Sequence, residues 1–296
     1  MDKILYNMMN WAGIEELVYS ESCDPHKFLG PHVTEAGLLI QTFIPTAVSV
    51  SVKLTSSGKK YEMEMADETG FFAVLIPRKT VTDYTLLVTF DGDVVQEIAD
   101  PYAYAPQIKE EALKQFEVGI CYDIYEVLGS HVKVIKEVKG VYFAVWAPCA
   151  MRVSVVGDFN LWDGRRHQMR KLGDSGVFEL FIPGLEEGTI YKYEVKAANG
   201  DAMLKSDPYG TYGELRPNNA SIVWDVNQFA WNDDSWMKNR QKEYGKDKPM
   251  SIYEVHLGSW IRKPISIDEE GNEITGSEFY NYREIAEKLA EYVKDM

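Results

Sequence analysis

The feature that most constrains the fold of this chain is an internal repeat of about one hundred residues. The segment LGPH, which starts at Leu29, recurs as LGSH from Leu128, and the DPY at Asp100 recurs at Asp207. The offset between the copies grows from 99 residues (29 to 128) to 107 residues (100 to 207), as small loop insertions in the second copy would produce. Solenoid repeats span only roughly 20–50 residues, so this period indicates a duplicated domain.

Both copies have the residue pattern of β-structure. Apolar and polar residues alternate in VSVSV from Val48 and in YKYEV from Tyr191, which is typical of half-buried strands. Turn signals such as DG at Asp91 and NG at Asn199 separate such segments. The pattern predicts a mostly β protein with two tandem immunoglobulin-like β-sandwiches.

Helical patterns lie outside the two copies. The first 20 residues and IKEEALKQF from Ile108 have helical composition. After the second copy, SIYEVHLGSW from Ser251 predicts a strand, and NYREIAEKLAEYVKDM predicts an amphipathic helix that Asn281 and Glu284 cap. A strand, a long loop and a helix form one β/α unit, which needs neighbouring parallel strands to cover its sheet. The sequence therefore predicts that a parallel β/α domain begins near the end of the chain.

The composition excludes several classes of partner. Against 31 Lys and Arg stand 46 Asp and Glu, a net charge of −15, so neither nucleic acid nor an anionic membrane is an expected partner. No signal peptide and no apolar run of about 20 residues are present, and we expect a cytoplasmic monomer. The widely spaced Cys23, Cys121 and Cys149 are expected to be reduced thiols.

The histidines and paired acids do not form a recognisable reactive site. None of the five histidines has metal-ligand spacing. His32 and His131 occupy equivalent positions in the repeat, which favours a structural role such as hydrogen bonding a turn. Neighbouring acids such as Glu186 and Glu187 lack the separation of about 5 Å across a sugar bond that retaining glycosidic chemistry requires. We interpret them as solvated surface charges.

Four long segments resemble the glycogen (1,4-alpha-glucan) branching enzymes of bacteria. GDFNLWDGRRHQMRKLGDSGVFELFIPGL, from Gly157, and ELRPNNASIVWD, from Glu214, are similar to carbohydrate-binding module family 48. DPHKFLGPH, from Asp24, resembles the opening of the extra N-terminal module of these enzymes. SIYEVHLGSW and the helix after it resemble the start of a glycoside hydrolase family 13 barrel. The resemblance implies that the last segment is the first β/α unit of a truncated (β/α)8 barrel.

With this resemblance, six segments are predicted along the chain. They are a helical tail (1–20), a first β-sandwich module (21–107), a helical linker (108–124), a second β-sandwich module of family 48 (125–228), a linker (229–250) and the start of a catalytic barrel (251–296).

The resemblance also implies an activity and its limits. A branching enzyme transfers a segment of an α-1,4-glucan to a 6-hydroxyl and so forms an α-1,6 branch, through a carboxylate nucleophile and a second carboxylic acid. In the family both acids lie on later barrel strands, and no position here matches their motifs. No catalytic residue is therefore assigned, the chain alone is expected to be inactive, and neither a metal nor an organic cofactor is implied.

The same resemblance implies two carbohydrate-binding residues, Trp162 and Lys192, for α-glucans such as glycogen or amylose-like chains. Flat sugar faces stack on exposed aromatic rings, and nearby polar groups meet the hydroxyls. Related modules use a second tryptophan near Asn199–Leu204, where this chain has GDAML. Packing of Trp162 against a neighbouring domain is the competing interpretation. Trp146, Trp224 and Trp231 are expected in a core or an interface.

Two other functions remain open at this point. One is a stand-alone glycan-binding or scaffold protein, which the trailing β/α unit disfavours. The other is a different family 13 enzyme, such as a debranching enzyme or a maltooligosyltrehalose trehalohydrolase. WDGRRHQMR and ELRPNNASIVWD, together with two tandem modules, favour a branching enzyme.

Overall fold

A computed structural model of the chain describes residues 2–243 and 245–296. These residues form two compact units, one ending at Phe229 and one beginning at Ala230. Met1, in the predicted tail, and Tyr244, in the predicted linker 229–250, lie outside the described residues. Helices of the first unit are α1 (Lys3–Met8), α2 (Trp11–Val18) and α3 (Glu110–Glu117); those of the second unit are α4 (Asp234–Glu243), α5 (Leu257–Trp260) and α6 (Tyr282–Asp295).

The first module is a sandwich of two antiparallel sheets. Its strands are β1 (Gly30–Val33), β2 (Leu38–Phe43), β3 (Ser49–Leu54), β4 (Lys60–Glu62), β5 (Glu64–Asp67), β6 (Phe71–Ile76), β7 (Tyr84–Phe90) and β8 (Val94–Ile98). One sheet has the order β1-β2-β6-β5 and the other β4-β3-β7-β8. Alternate residues of the two sheets, such as Ile40 and Val74 against Val52 and Leu86, form one buried core.

The second module repeats this arrangement. Its strands are β9 (Gly129–Ile135), β10 (Val138–Trp146), β11 (Ala150–Val156), β12 (Arg170–Lys171), β13 (Val177–Pro183), β14 (Ile190–Ala197), β15 (Ala202–Lys205), β16 (Tyr212–Gly213) and β17 (Ser221–Ile222). The sheet β12-β13-β10-β9 faces the sheet β11-β14-β17-β16, to which β15 adds beside β14. Phe143 and Leu180 meet Val155 and Tyr193 in its core. The predicted mostly β class with two sandwiches is confirmed.

The N-terminal helices explain why β2 is buried along its whole length. Every residue of β2 is buried, although only alternate residues face the sandwich core. Leu39 and Phe43, on the other face, belong to the same apolar cluster as Leu5 and Leu17 of the helical tail. That cluster continues into the core of the second module, so the tail packs against both sandwiches. Two short helices form where the composition indicated one.

The duplication extends to individual hydrogen bonds. In the first copy the Tyr84 hydroxyl donates to Asp100 Oδ2 at 2.6 Å, and in the second the Tyr191 hydroxyl donates to Asp207 Oδ2 at the same distance. In each copy the other carboxylate oxygen accepts from the backbone amide two residues later. Burial raises the pKa of both carboxyls, in the first copy to about 6. Each sandwich thus contains the same buried polar bridge.

His32 and His131 have the predicted structural role. The Nε2 atom of His32 lies 3.1 Å from the Leu29 carbonyl oxygen, and that of His131 lies 3.1 Å from the Leu128 carbonyl oxygen. Each ring therefore closes the turn that leads into the first strand of its module, at the equivalent place in the repeat.

A buried carboxylate joins the helical linker to the second sandwich. Glu179, on β13, is fully buried and accepts from Arg170 Nε at 3.0 Å and from the Tyr142 hydroxyl at 2.8 Å. It also accepts from the backbone amides of Gln107 and Ile108, just before the linker helix α3. These bonds fix the backbone at Gln107 and Ile108, where the chain passes from the first module into the linker.

In the second unit, α6 forms as predicted, but the strand expected before it does not. Asn281 and Glu284 make the expected capping box at the start of α6. Residues 251–256 have no strand pairing, Ile252 is exposed, and the short helix α5 follows. A parallel strand exists only through hydrogen bonds to its neighbours. None of the described residues after Ala230 forms a named strand that could pair with it.

No helix in the described part of the chain combines the length and the apolar character needed to cross a membrane. The three cysteines have free thiols, with Cys23 and Cys149 exposed.

Candidate functional site

The two residues proposed for sugar binding lie at the same end of one sheet of the second module. Val156, the last residue of β11, pairs with Lys192 on β14. Paired residues of antiparallel strands lie about 5 Å apart, so the loop that starts at Gly157 leaves the sheet beside Lys192. Trp162 belongs to this loop. The strand register therefore places the start of the loop that carries Trp162 beside Lys192.

Hydrogen bonds hold both the side chain and the backbone of Trp162. Its indole Nε1 donates to Asp158 Oδ1 at 2.7 Å, and its backbone amide donates to the Gly157 carbonyl at 2.9 Å. Leu161 and Trp162 have φ angles of 59° and 58°, a left-handed conformation that costs about 1–3 kcal/mol for a residue other than glycine. Trp162 as a whole is half-buried. The ring is thus fixed in place and keeps part of its surface open to solvent, as a stacking platform for a sugar requires.

Asn160 fixes the loop from within. Its buried side chain accepts from the Gly157 amide at 3.0 Å and donates to the Val155 carbonyl at 2.9 Å. The same amide nitrogen donates to His167 Nδ1 at 3.0 Å. Because Nδ1 accepts, the neutral ring of His167 has its proton on Nε2. Burial, with the cation of Arg166 nearby, lowers the pKa of His167 to about 3, so the ring stays neutral.

We expect His167→Gln to make the free energy of unfolding less sensitive to acid. Folded His167 binds a proton only near pH 3, whereas the unfolded residue binds one near its ordinary pKa of 6.5. Between these values the unfolded state holds more protons, so stability falls as the pH decreases, by roughly 2 kcal/mol from pH 7 to pH 5 for one such group. Glutamine can still accept from Asn160. Urea denaturation at both pH values should show the loss reduced by about that amount.

Other titrating groups are common to wild type and variant and cancel in this comparison. Burial also lowers the pKa of His26 to about 3, which acts in the same direction as His167. Asp100, whose pKa burial raises to about 6, acts in the opposite direction, because its folded form takes up protons first on acidification. His256→Gln, at an exposed position, is the control. An unchanged acid sensitivity of His167→Gln would contradict the assignment.

Lys192 is positioned by a partner that sequence reasoning missed. Its Nζ donates to Asn219 Oδ1 at 2.6 Å, and Asn219 stands just before β17. Together they present an ammonium group and an amide, which can donate to and accept from neighbouring hydroxyl groups of a sugar. Asn219 is 27 residues from Lys192 (192 to 219), and no spacing rule indicates such a contact.

A buried ion pair connects the end of the loop to the same sheet. Arg152, on β11, is buried and pairs with Glu194 on β14, while its Nη1 donates to the Gly164 carbonyl at 2.8 Å. A Cβ on Gly164 would lie 2.2 Å from the Glu194 carboxyl carbon, so a side chain there would displace the pair. The end of the loop at Gly164 is thus fixed to the outer face of the sheet.

Three other tryptophans do not have the burial expected of core residues. Trp146, Trp224 and Trp231 are 51%, 44% and 77% exposed. Trp146 donates to the Ser175 carbonyl at 3.1 Å and packs edge-on against Phe116 of the linker helix, which explains its partial cover. None of the three lies in a core, because these residues stand at strand ends and in loops, where only one side of a ring can be covered. The alternative, a position in an interface, stays a prediction.

Two families match the two modules. The N-terminal domain of the alpha-1,4-glucan branching enzyme GlgB matches residues 10–102, and carbohydrate-binding module 48, the isoamylase N-terminal domain, matches residues 127–210. Both modules of the chain are thus similar to N-terminal modules of branching enzymes and related glucan-active enzymes. The sequence resemblance is confirmed, and its two module families fall on the two sandwiches.

The similarity to branching enzymes extends along nearly the whole chain. The 1,4-alpha-glucan branching enzyme of Rubrobacter xylanophilus is 44% identical over 97% of this chain and 38% of its own length. That of Thermosynechococcus vestitus is 40% identical over 96% of this chain and 39% of its own length. The chain thus spans under half the length of these relatives.

Among solved structures, a pullulanase from Anoxybacillus sp. LM18-11 complexed with maltotetraose is 15% identical over 79% of this chain and 29% of that chain, with a TM-score of 0.29. A TM-score this low establishes no common fold.

Proposed function

We propose that this chain provides the glucan-binding and scaffolding modules of a 1,4-alpha-glucan branching enzyme, and that Trp162 and Lys192 of the second module bind the glucan. The observation that carries the proposal is the hydrogen-bonded, partly exposed indole of Trp162 in a loop that leaves the sheet next to Lys192, which is itself held by Asn219. The named activity of the relatives supports the choice of glucan and of the branching reaction.

The chemistry of this face suits a neutral sugar chain. The indole offers a flat apolar surface to the C–H face of a glucose ring, while Lys192 and Asn219 meet its hydroxyl groups. The net charge of −15 gives no long-range attraction for phosphate-rich polymers. The binding of a neutral polymer does not depend on that charge. These properties favour an α-glucan over a nucleic acid or a lipid surface.

Outside the Trp162–Lys192 site, the chain has a scaffolding role in this proposal. The first module, 21–107, serves as a scaffold, since its loop at Thr55-Ser56-Ser57-Gly58 has no tryptophan to match Trp162. No catalytic residue is assigned to the chain. A cytoplasmic, monomeric protein agrees with its acidic composition and its three free thiols.

We expect Trp162→Ala to weaken binding to glycogen by about tenfold, which corresponds to the loss of one stacked aromatic ring. Co-sedimentation of the 296-residue chain with glycogen measures this directly. Lys192→Met should weaken binding less, because it removes one hydrogen-bonding group and keeps the apolar stem.

Trp231→Ala is the matched control, since it removes a more exposed tryptophan outside the two modules. It should bind glycogen as wild type does. Equal sedimentation of wild type and Trp162→Ala would remove Trp162 from the site, and no sedimentation of wild type would reject glucan binding by this chain.

A further inference from the structure

A cleft of about 500 Å³ opens where the tail, the first module and the outer face of the second module meet. It is lined by Val18, Tyr19, Ser20, Thr69, Arg152, Arg165, Glu194, Lys196, Gly200 and Ala202. Its volume lies in the range of pockets that hold small ligands. Three parts of the chain that are distant in sequence contribute to it, so it exists only when the two modules are docked.

The floor of the cleft belongs to the same sheet face as Lys192. Along β14, Lys192, Glu194 and Lys196 alternate with the buried Tyr191 and Tyr193 and therefore share the outer face. Lys196 pairs with Ala202 on β15, which places the small Ala202 side chain beside it. At about 3.4 Å per residue, Lys196 lies roughly 14 Å along the strand from Lys192. An oligosaccharide could span this distance.

Tyr19 lines this cleft, and its backbone is held near two points. The side chain is 65% exposed. Lys196 Nζ donates to the Tyr19 carbonyl at 3.1 Å, and Gln168 Nε2 donates to the nearby Leu17 carbonyl at 3.1 Å. Both donors belong to the second module. The end of the tail is therefore fixed on that module, while the ring of Tyr19 remains accessible.

The charges around the cleft balance. Arg152 pairs with Glu194, Arg165 pairs with Asp163, and Lys196 lies 3.8 Å from Glu21. Three cations thus face three carboxylates, which leaves no excess charge to select an ionic ligand. The cleft offers donors, acceptors and one exposed ring, and this combination fits a neutral polyhydroxyl ligand.

We propose that Tyr19 and this cleft form a second glucan subsite, which extends the Trp162–Lys192 site along the outer face of the second module. The proposal rests on the proposed glucan binding. The tail and the first module then contribute directly to glucan binding, because they form the wall of the cleft opposite the sheet. Short sugars occupy the Trp162 subsite alone, and longer chains reach Tyr19.

Calorimetric titration with maltose and with maltoheptaose tests this subsite. Tyr19→Ala should bind maltoheptaose between about two- and tenfold more weakly than wild type and bind maltose equally well. Tyr19→Phe, which keeps the ring, should bind both sugars as wild type does. Tyr122→Ala, at a tyrosine that is 86% exposed in the linker, is the matched control and should also be unchanged. Ala202→Trp in the Tyr19→Ala chain should restore affinity for maltoheptaose by placing a ring in the same cleft.

The outcomes separate this inference from the proposed function. If Tyr19→Ala binds maltoheptaose as wild type does while Trp162→Ala does not, the second subsite is rejected and the Trp162 site stands. Equal losses for maltose and maltoheptaose in Tyr19→Ala would also reject a subsite for longer chains. If Trp162→Ala binds both sugars normally, Trp162 is removed from the proposed site, and the extension that rests on that site is rejected too.

Discussion

Replacing Glu179 with leucine is expected to lower the free energy of unfolding by about 3–5 kcal/mol, the largest effect on stability expected here. The substitution leaves the nearly buried Arg170 without its counterion, which lies 3.0 Å away. It also leaves the Tyr142 hydroxyl and the amides of Gln107 and Ile108 without their buried acceptor. Urea denaturation followed by circular dichroism measures the loss.

Two further variants show whether the cost comes from the unpaired charge. Glu179→Leu combined with Arg170→Met removes both charges and should recover part of the lost stability, since a buried ion pair can be replaced by apolar residues at little cost. Glu186→Gln breaks the exposed pair with Lys139, at 3.8 Å, and should change stability by less than about 1 kcal/mol. A double variant less stable than Glu179→Leu would contradict this explanation.

Asn160→Leu is expected to affect both stability and glucan binding. Leucine has a similar size but leaves the Gly157 amide and the Val155 carbonyl unpaired in a buried place, at about 1–3 kcal/mol for each group. The loop then loses the bonds that impose the left-handed conformation at Trp162. Glycogen binding should weaken at least as much as in Trp162→Ala, although the indole is still present.

Stability and glycogen binding of Asn160→Leu are measured separately. Denaturation should show that Asn160→Leu remains folded at 25 °C, and co-sedimentation should show that its glycogen binding is lost. Asn239→Leu, at an exposed position of α4 outside the two modules, is the control and should bind as wild type does. Normal glycogen binding by a folded Asn160→Leu chain would show that the loop conformation does not matter for the site.

Much of the fold could be predicted from the sequence because its signals are local or repeated. The alternating segments formed strands, and the LGPH and LGSH turns placed His32 and His131 in equivalent hydrogen bonds. The capping box at Asn281 and Glu284 needs only residues three apart, and it formed. The strand expected in SIYEVHLGSW, residues 251–260, depends on partners elsewhere in a sheet, so the pattern of that segment alone could not decide it.

The site was less predictable because its contacts join distant positions. A resemblance to related modules indicated Trp162 and Lys192, but the Asn219 that orients Lys192 left no signal in the spacing of the chain. The contact between Lys196 and Tyr19 spans 177 residues and depends on how the tail docks between two sandwiches. The exposure of Trp146 and Trp224 likewise depends on which faces of their rings are covered by residues distant in the sequence.

The most direct test of glucan binding at Trp162 is an NMR titration that follows its indole Nε1–H signal. This proton is donated to Asp158 and belongs to the ring that we propose stacks on glucose. With maltoheptaose, the Trp162 signal should shift progressively and saturate with the same dissociation constant that calorimetry gives, while the Trp231 signal stays in place. Saturable binding of maltoheptaose with an unshifted Trp162 signal would contradict the account and locate the glucan elsewhere on the chain.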